Sequence, residues 1–398
     1  MGVFARAAVS AQTPAVPAPL TYERALNLAT SRNLGLEAAR RQRAIREAAI
    51  RTARQAPNPS VSLEVSKDTP HQAFTFDLPV ELGGKRRQRI DLATEELTLA
   101  DVDVQAEMRA VRRELRQAFY SLVASDQRVR IADSVLDIAR RVRDAAQGRF
   151  EAGAAPRLEV LQADLGVTRA ETDVELARST RAADQARLNA VLDLPPQQTQ
   201  VVAGSLSEGA TTMSYEQALS IATSSNIDLI GLDRQIAIEQ RRVDLLRAER
   251  VPTPVFSISA LFNNPPEFTV GPRAAVSVDL PIFSRNQGQI AEAVATGAQL
   301  RGRRDATRRA IENAVYGTIA RIEAQRRQIA AYEQRLVPTA TDLETLAEES
   351  YRAGRTSVLG VFDAQRSLRE LTREALQAAL DLQLSLADLE EILGTSIQ

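Results

Sequence analysis

The chain contains one sequence pattern twice. Residues 20–29 read LTYERALNLA and are followed by Asn33, whereas residues 213–222 read MSYEQALSIA and are followed by Asn226. Each copy is followed, in the same order, by a helical run, Pro-x-Pro, two alternating segments, Leu-Pro, a very long polar run, aromatic-x-Ala-Gly and another helical run. Because these landmarks agree in kind and order over nearly the whole chain, the sequence predicts two similar halves around a pseudo-symmetric axis.

The repeat divides the 398 residues into predicted segments. These are a signal-peptide remnant or flexible N-terminus (1–19), a first repeat (20–192), a linker or equatorial segment (193–212), a second repeat (213–394) and a C-terminal tail (395–398). The assignment of the first segment rests on Val9-Ser10-Ala11, which has the small residues of a signal cleavage site.

The composition is typical of long helices that pack through small side chains. Aromatic residues make up only 4%, Trp is absent, and Ala, Arg and Leu are the commonest residues. Charged residues reach 25% with a net charge of −1, so no bulk electrostatic attraction to nucleic acid is expected. No stretch of about 18 uninterrupted apolar residues predicts a transmembrane helix.

Two short segments have the alternation of β-hairpins, over residues 59–82 and 254–282. In the second, apolar Val276, Val278 and Leu280 alternate with polar residues, so the last strand is expected to run to Leu280. The hairpins could be half-buried pieces of a soluble sheet, but a lone hairpin is marginal in water. Four strands per chain, pooled among several chains, could instead close a barrel and remove the sheet edges.

Very long helices are predicted on either side of the hairpins. One helical run is expected over Tyr22–Arg54, and another from Lys85 to about Phe150, which is roughly 100 Å at 1.5 Å per residue. In the second half the long arm covers residues 287–351, with a kink at Pro338. The helical hairpins are predicted to reverse near 150–157 and near 351–357, where an aromatic-x-Ala-Gly occurs.

The reversals carry the candidate functional residues. Gly153 and Gly354 permit the left-handed backbone of a helix end, which can be simple turn chemistry or a docking point for another helical hairpin. Glu159, Asp164 and Asp363 follow the reversals within about three helical turns. They are either ordinary surface carboxylates or, in a ring of chains, rings of negative charge at a pore constriction.

No catalytic or metal-binding constellation is present in the sequence. Cys is absent and His71 is the single histidine, in a predicted hairpin turn, so it is interpreted as a turn residue. No cofactor or metal is expected, and an enzyme is the least favoured of the function classes.

The ordered set of motifs resembles the TolC-like outer-membrane factors of Gram-negative tripartite efflux and secretion systems. The resemblance rests on the duplicated Tyr-x-x-Ala-Leu opening, the Pro-x-Pro and Leu-Pro around the strands, the Gly-containing reversals and Leu393-Gly394, and it covers residues 20–394. The run Leu82-Gly83-Gly84-Lys85-Arg86 is most similar to the heavy-metal (cobalt-zinc-cadmium) efflux branch.

The resemblance implies a mainly α fold with a small β part and a homotrimeric assembly. Each chain would give four strands to one twelve-stranded transmembrane β-barrel in outer-membrane lipid, and long antiparallel helical hairpins to a periplasmic α-barrel. A periplasmic adaptor (membrane fusion protein) would dock at the tips, and an inner-membrane RND pump would supply energy. The residues implied at the docking tips are Gly153, Ala154, Gly354 and Arg355.

The resemblance also implies aperture carboxylates at a fixed spacing from the tips. Glu159 matches one position in the first half and Asp363 matches one in the second. Gly360 stands where the family can carry a second Asp, which weakens the expectation of a double ring of charge.

The expected function is therefore that of a passive outer-membrane channel for heavy-metal efflux. Drug efflux and type I secretion remain alternatives within the same class. A soluble coiled-coil scaffold is the alternative outside it, and it leaves the two alternating hairpins unexplained.

Overall fold

The computed structural model describes residues 19–207, 213–264 and 266–395. Most of the predicted N-terminal segment, together with parts of the predicted linker and tail, lies outside the described residues. The described part is mainly helical with one four-stranded sheet, in agreement with the predicted fold class.

The first half contains four helices and two strands. Their bounds are α1 Tyr22–Arg32, α2 Leu34–Ala53, β1 Ser60–Val65, β2 Gln72–Pro79, α3 Lys85–Glu151 and α4 Arg157–Val191. The second half follows the same order with one more interruption. Its elements are α5 Tyr215–Ser225, α6 Ile227–Ala248, β3 Val255–Asn264, β4 Phe268–Ser277, α7 Gln287–Ala331, a π-helical turn Tyr332–Leu336, α8 Val337–Arg352 and α9 Val358–Leu393.

The prediction of one helix over Tyr22–Arg54 is wrong, because Asn33 divides it into α1 and α2. The Asn33 backbone leaves the helical region at ψ 122°, and its side-chain Oδ1 accepts a hydrogen bond from the Leu36 N–H at 3.0 Å. Asn226 does the same between α5 and α6 and accepts from Leu229 at 3.2 Å. An Asn at this position ends one helix and caps the next, because its side chain satisfies a free N–H of the first turn.

The second strand of the second hairpin is shorter than predicted, since β4 ends at Ser277 rather than Leu280. Ser277 pairs with Val255, which is the first residue of β3. Pro254 precedes Val255 and has no N–H to extend the ladder. Residues 278–280 therefore continue the apolar alternation without a ladder partner on the β3 side.

The long arm of the second half is interrupted close to the predicted kink. The π-helical turn Tyr332–Leu336 lies directly before α8, whose second residue is Pro338. Pro338 cannot donate a hydrogen bond to the carbonyl of Gln334, four residues earlier, so the helix relaxes to a wider turn there.

The core is concentrated at the middle of the long helices, where the duplicated opening segment packs. Ala25 and Ala29 of α1, and the equivalent Ala218 and Ala222 of α5, have no exposed surface. Small side chains at this spacing let α1 lie close to α3, and α5 close to α7 and α9. The two copies of the repeated segment therefore pack in equivalent ways against the long helices.

The described part of the predicted linker, residues 193–207, packs against these helices. Leu20 and Val202 form a parallel bridge, in which the Leu20 N–H donates to the Val201 carbonyl at 2.7 Å. Leu206 is buried, and its carbonyl accepts a hydrogen bond from Gln383 of α9 at 2.7 Å. This segment thus ties the two halves together at the level of the core.

Among the described residues, no helix has both the length and the apolar character needed to cross a membrane.

Candidate functional site: the amphipathic sheet and the helical tips

The four strands form one antiparallel sheet whose one face is almost wholly apolar. The order is β1-β2-β3-β4, and the register places apolar side chains opposite apolar side chains across all four strands. Within the four cross-strand rows of this face that follow, Gln72 is the one polar side chain. The cross-strand rows are Val61–Phe76–Ile258–Ala274, Leu63–Phe74–Ala260–Pro272, Val65–Gln72–Phe262–Val270 and Leu78–Phe256–Val276.

This apolar face is open rather than covered by the helices. Val61, Leu63, Phe74, Ile258 and Val276 are all exposed. A single chain that leaves a contiguous apolar face of this size in contact with solvent is unusual, and such patches mark contacts with other molecules or with lipid.

The opposite face of the sheet is polar and carries hydrogen bonds between strands. The hydroxyls of Thr75 and Ser259 are 2.9 Å apart. Asp77 accepts hydrogen bonds from Ser257 and, at 3.5 Å, from Ser60. The sheet therefore separates an apolar side from a polar side, which is the pattern of a wall between lipid and water.

Both edges of the sheet are open within the described chain. β1 is paired only with β2, and β4 is paired only with β3. An open edge presents unpaired N–H and C=O groups, which another strand can satisfy.

The two helical tips have the same backbone. At the first tip, the Ala154 N–H donates to the Arg149 carbonyl at 2.8 Å and the Gly153 N–H donates to the Phe150 carbonyl at 2.9 Å. At the second tip, Arg355 and Gly354 repeat both hydrogen bonds at 2.8 and 2.9 Å. This is the Schellman arrangement, and it requires the positive φ of Gly153 (71°) and Gly354 (70°).

The predicted docking residues Gly153, Ala154, Gly354 and Arg355 are all exposed. A Cβ added to either glycine would meet no atom within 4 Å. The structure thus leaves both tips free for contact with another molecule, while docking itself stays a prediction.

The two tips contact each other through side chains. The guanidinium of Arg149 lies 4.8 Å from the ring centre of Tyr351, and its Nη1 donates to the Tyr351 carbonyl at 2.9 Å. Tyr351 is 1% exposed and packs with Val142, Val358 and Val361. Reasoning from the sequence missed Arg149 as the partner, because nothing in the repeat indicates which tip covers the other.

The two predicted aperture carboxylates lie in different environments. Glu159 is 8% exposed and points towards the Tyr351 hydroxyl, whereas Asp363 is exposed on α9. Burial, followed by the negative charge of Glu159, raises the pKa of Tyr351. Glu159 therefore belongs to the contact between the tips in the single chain, and only Asp363 of the two is open to solvent.

A further carboxylate, Glu344, is buried on α8 and was not predicted. It is 8% exposed, and Gln365 of α9 lies beside it without the geometry of a hydrogen bond, so its Oε1 has no hydrogen-bond partner among the described residues. Burial and then the charge of Glu348 raise the pKa of Glu344, against the opposing effects of Gln365 and Arg141. The spacing of Glu344 from Ala340 and Tyr351 could have indicated this burial, because it places all three side chains on one face of α8.

The described residues contain no group of three or more His, Cys, Asp and Glu side chains that could hold a metal ion. His71 lies next to the turn between β1 and β2, where its carbonyl accepts a hydrogen bond from the Ser66 N–H at 2.9 Å.

Comparison with known protein families gives one match over most of the chain. The family described as "Outer membrane efflux protein" matches residues 25–193 and 219–395. Among characterised proteins, the cobalt-zinc-cadmium resistance protein CzcC of Cupriavidus metallidurans is 28% identical over 356 residues, covering 88% of this chain and 84% of that protein.

Solved structures of outer-membrane channels share the fold. CusC, whose crystal structures concern folding and transmembrane channel formation, matches with a TM-score of 0.77 at 16% identity. The match covers 98% of this chain and 99% of the CusC chain. The outer membrane protein VceC of Vibrio cholerae matches with a TM-score of 0.76 at 15% identity, over 95% of this chain and 97% of the VceC chain. The open state of the MtrE channel of Neisseria gonorrhoeae matches with a TM-score of 0.75 at 18% identity, over 95% of this chain and 89% of the MtrE chain.

Proposed function

The chain belongs to the outer membrane efflux protein family, and from this premise we propose that it is the trimeric exit channel of a tripartite system that exports heavy-metal cations. Members of this family are outer-membrane efflux channels and not enzymes, so the chain is such a channel.

The observation that carries the proposal is the amphipathic sheet with two open edges. Four strands cannot close on themselves, and a sheet in lipid must leave no edge unpaired. If β4 of one copy pairs with β1 of the next, three copies give twelve strands with the apolar rows outside and the Thr75, Asp77 and Ser259 face inside. Such a closed barrel satisfies every edge and encloses a polar bore.

The helical part supports a conduit that continues beyond the membrane. α3 has 67 residues, so it is about 100 Å long. Its ion pairs with other helices, such as Arg113 with Asp388 at 3.1 Å, are partly exposed to solvent. Helices of this length and polarity suit an aqueous gap, so we place them in the periplasm below the barrel.

The tips are where the periplasmic adaptor would dock, through the exposed Gly153, Ala154, Gly354 and Arg355. The adaptor would connect the channel to an inner-membrane RND pump, which supplies the energy. Asp363, which is exposed on α9, is the residue that we assign to the lining of the aperture.

The heavy-metal substrate is supported by the similarity to CzcC, whose name states cobalt, zinc and cadmium resistance.

The test begins with the purified full chain in detergent. Light scattering is expected to give the mass of three chains, and the same sample is expected to conduct in planar bilayers. A monomer that does not conduct would refute the channel assembly. Cells that lack their own metal-efflux channel but keep its adaptor and pump then test the substrate: expression should restore growth in cobalt, zinc or cadmium, and restored growth only in organic drugs would reject the metal assignment.

A further inference from the structure

The end of the sheet that joins the helices has a strong excess of positive charge. The chain segments at this end are residues 51–59, 80–90, 247–254 and 278–289. They contain nine basic and three acidic residues. At the opposite end, the segments that connect the strands (66–71 and 265–267) contain one lysine and two acidic residues. The sheet is therefore basic at one end only, the end that leads into α3 and α7.

Four exposed arginines at this end lie in two close pairs, and we call them the junction arginines. In the first pair, the Arg86 Nε donates a hydrogen bond to the Arg54 carbonyl at 2.7 Å. In the second pair, the Arg250 Nε donates to the Arg285 carbonyl at 2.8 Å. Each hydrogen bond holds one arginine of a pair against the backbone of the other.

Part of the remaining charge at this end is neutralised within the chain. Arg89 pairs with Glu81, and Glu249 accepts a hydrogen bond from the Asn286 side chain at 3.4 Å. The junction arginines, in contrast, form no ion pair with any carboxylate of the residues that the structure describes. Because like charges repel when no counter-charge lies between them, this end of the sheet favours the binding of an anion.

The two arginine pairs belong to one continuous surface. The Val80 N–H, just after β2, donates to the Pro254 carbonyl, just before β3, at 2.9 Å. A Cβ on Gly83 would lie only 2.6 Å from the Val251 Cβ. The chain that enters α3 therefore packs directly against the chain that leaves α6, and the two basic regions are neighbours.

Exposed apolar side chains lie next to the junction arginines. Phe283 is 92% exposed and precedes Arg285 by two residues, and Ile282 beside it is also exposed. Leu82 is exposed and precedes Arg86 by four residues. A surface that combines apolar side chains with unpaired guanidiniums fits a molecule that has both acyl chains and a phosphate, and basic clusters at a membrane boundary bind anionic lipids.

The helices that begin at this end add to the positive potential. α3 begins at Lys85 and α7 at Gln287, and neither has an acidic residue in its first turn. Within the described chain, no side chain caps the first N–H groups of either helix. Because free N–H groups at a helix start carry partial positive charge, both helices present positive ends at the same junctions as the arginines.

We propose that the junction arginines bind the phosphate groups of anionic phospholipids in the leaflet of the outer membrane that faces the periplasm. The acyl chains lie against Leu82, Ile282 and Phe283. Guanidinium groups suit this role because each can donate two parallel hydrogen bonds to a phosphate. The lipid site rests on the proposed channel, which places the helices in the periplasm and therefore places this end of the sheet at that leaflet.

The absence of Trp from the sequence makes the lipid contact measurable. Phe283→Trp in the full chain places a single indole beside Arg285, and lipids with brominated acyl chains quench its fluorescence on contact. The protein is reconstituted in phosphatidylcholine vesicles that contain either brominated phosphatidylglycerol or the same fraction of brominated phosphatidylcholine. We expect phosphatidylglycerol to be preferred at this indole by about fivefold or more, since one arginine near an anionic surface contributes about that factor.

Removal of the second arginine pair should abolish the preference. In the Phe283→Trp background, Arg250→Gln with Arg285→Gln should bring the ratio of the two lipids close to unity, and salt at about 1 M should lower it by screening. The matched control is Arg303→Gln, an exposed arginine of α7 that lies roughly 24 Å beyond the helix start at 1.5 Å per residue, and it should keep the preference.

The first arginine pair gives an independent version of the test. If the variant of the second pair does not insert into vesicles, Arg54→Gln with Arg86→Gln is read from Leu82→Trp in the same way. Val270→Trp is the positional control, because Val270 is exposed on the apolar face towards the other end of the sheet. Brominated lipids of both kinds should quench this indole equally.

Three outcomes would overturn the lipid site. The first is equal quenching of the Phe283→Trp indole by the two lipids, and the second is a preference that survives loss of the arginines. The third is loss of the preference when inorganic phosphate replaces chloride at equal ionic strength, which would assign the arginines to a soluble anion. Absence of quenching by either lipid at both Phe283→Trp and Val270→Trp would instead refute the proposed channel, so the two failures are distinguishable.

Discussion

The two helical tips have the same turn but opposite surroundings. Phe150 and Tyr351 occupy the same place in the repeated motif, and the hydrogen bonds that follow them agree within 0.1 Å. Yet Phe150 is 40% exposed, whereas Tyr351 is 1% exposed. A repeated sequence therefore determines the local backbone of each tip but not what the tip packs against.

The difference arises above the tips. The first arm, α3, is one unbroken helix, whereas the second arm is divided by the π-helical turn Tyr332–Leu336 before α8. α8 brings Tyr351 into contact with Val142 of α3, and Arg149 covers it. A small hydrophobic cluster around Tyr351 thus lies at the second tip, and Arg149 from the first tip shields part of it from solvent.

Truncation of the two aromatics should give the largest contrast. Tyr351→Ala removes a fully buried ring and leaves a cavity, so it should lower the free energy of local opening by about 3–5 kcal/mol. Phe150→Ala removes a half-exposed ring and should cost about 1 kcal/mol or less. Hydrogen exchange in the assembled protein measures the effect of Tyr351→Ala at the α8 amides and that of Phe150→Ala at the last α3 amides. Equal losses of protection at the two tips would contradict the asymmetry.

Substitution of the two tip glycines should, in contrast, give equal effects. Gly153→Ala and Gly354→Ala each place a Cβ in open space at positive φ, so the expected cost is the backbone term alone, about 1–2 kcal/mol. The matched variants Gly153→Asn and Gly354→Asn should cost less, because Asn tolerates this conformation. Hydrogen exchange of the amides that close each tip measures the two costs. A clearly larger cost at one tip than at the other would contradict the expected equality and would indicate that a partner binds one tip.

The pH dependence should differ between the two arms. Because the pKa of buried Glu344 is raised above its ordinary value of 4.5, the packed α8 holds a proton that the opened helix releases. The packing of α8 should be firmest below pH 4.5 and weaken as the pH rises through the raised pKa. In the first arm the equivalent position is Arg143, so the tip end of α3 has no carboxyl there and its amides should not show this loss.

Glu344→Gln should remove the loss of α8 packing as the pH rises through the raised pKa of Glu344, because the glutamine side chain stays neutral at every pH. Glu349→Gln is the matched control, since it removes an exposed carboxylate from the same helix. Exchange rates of α8 amides, corrected for intrinsic pH dependence, measure the effect. Equal behaviour of the two variants would exclude Glu344 as its source.

Much of the fold could be predicted because the signals are local and periodic. α3 was expected from Lys85 to about Phe150 and runs from Lys85 to Glu151, since no residue within it breaks a helix. The alternation over Val61–Val65 predicted β1 for the same reason. The break between α1 and α2 at Asn33 was not predicted, because the apolar periodicity continues through a capping residue. The Asn226 at the same place in the second copy was a usable signal for it.

The arrangement of the candidate site could be predicted only in part. The tip turns follow from Gly153 and Gly354, whose backbone requirement is local. The burial of Glu159 against Tyr351 and of Glu344 against α9 was not predictable, because each depends on contacts between helices that are distant in the sequence.

The sequence by itself determined the two halves, the long helices, the hairpins and the glycine turns of this efflux-family protein, because these depend on residue spacing and on the conformational limits of Gly, Pro and Asn. The tertiary structure alone decided the apolar rows that join four strands, the end of β4 at Ser277 and the burial of Tyr351 rather than Phe150. Those features arise from register and packing between segments up to about 200 residues apart in the sequence, such as Asp77 and Ser257, whose energies no local pattern encodes.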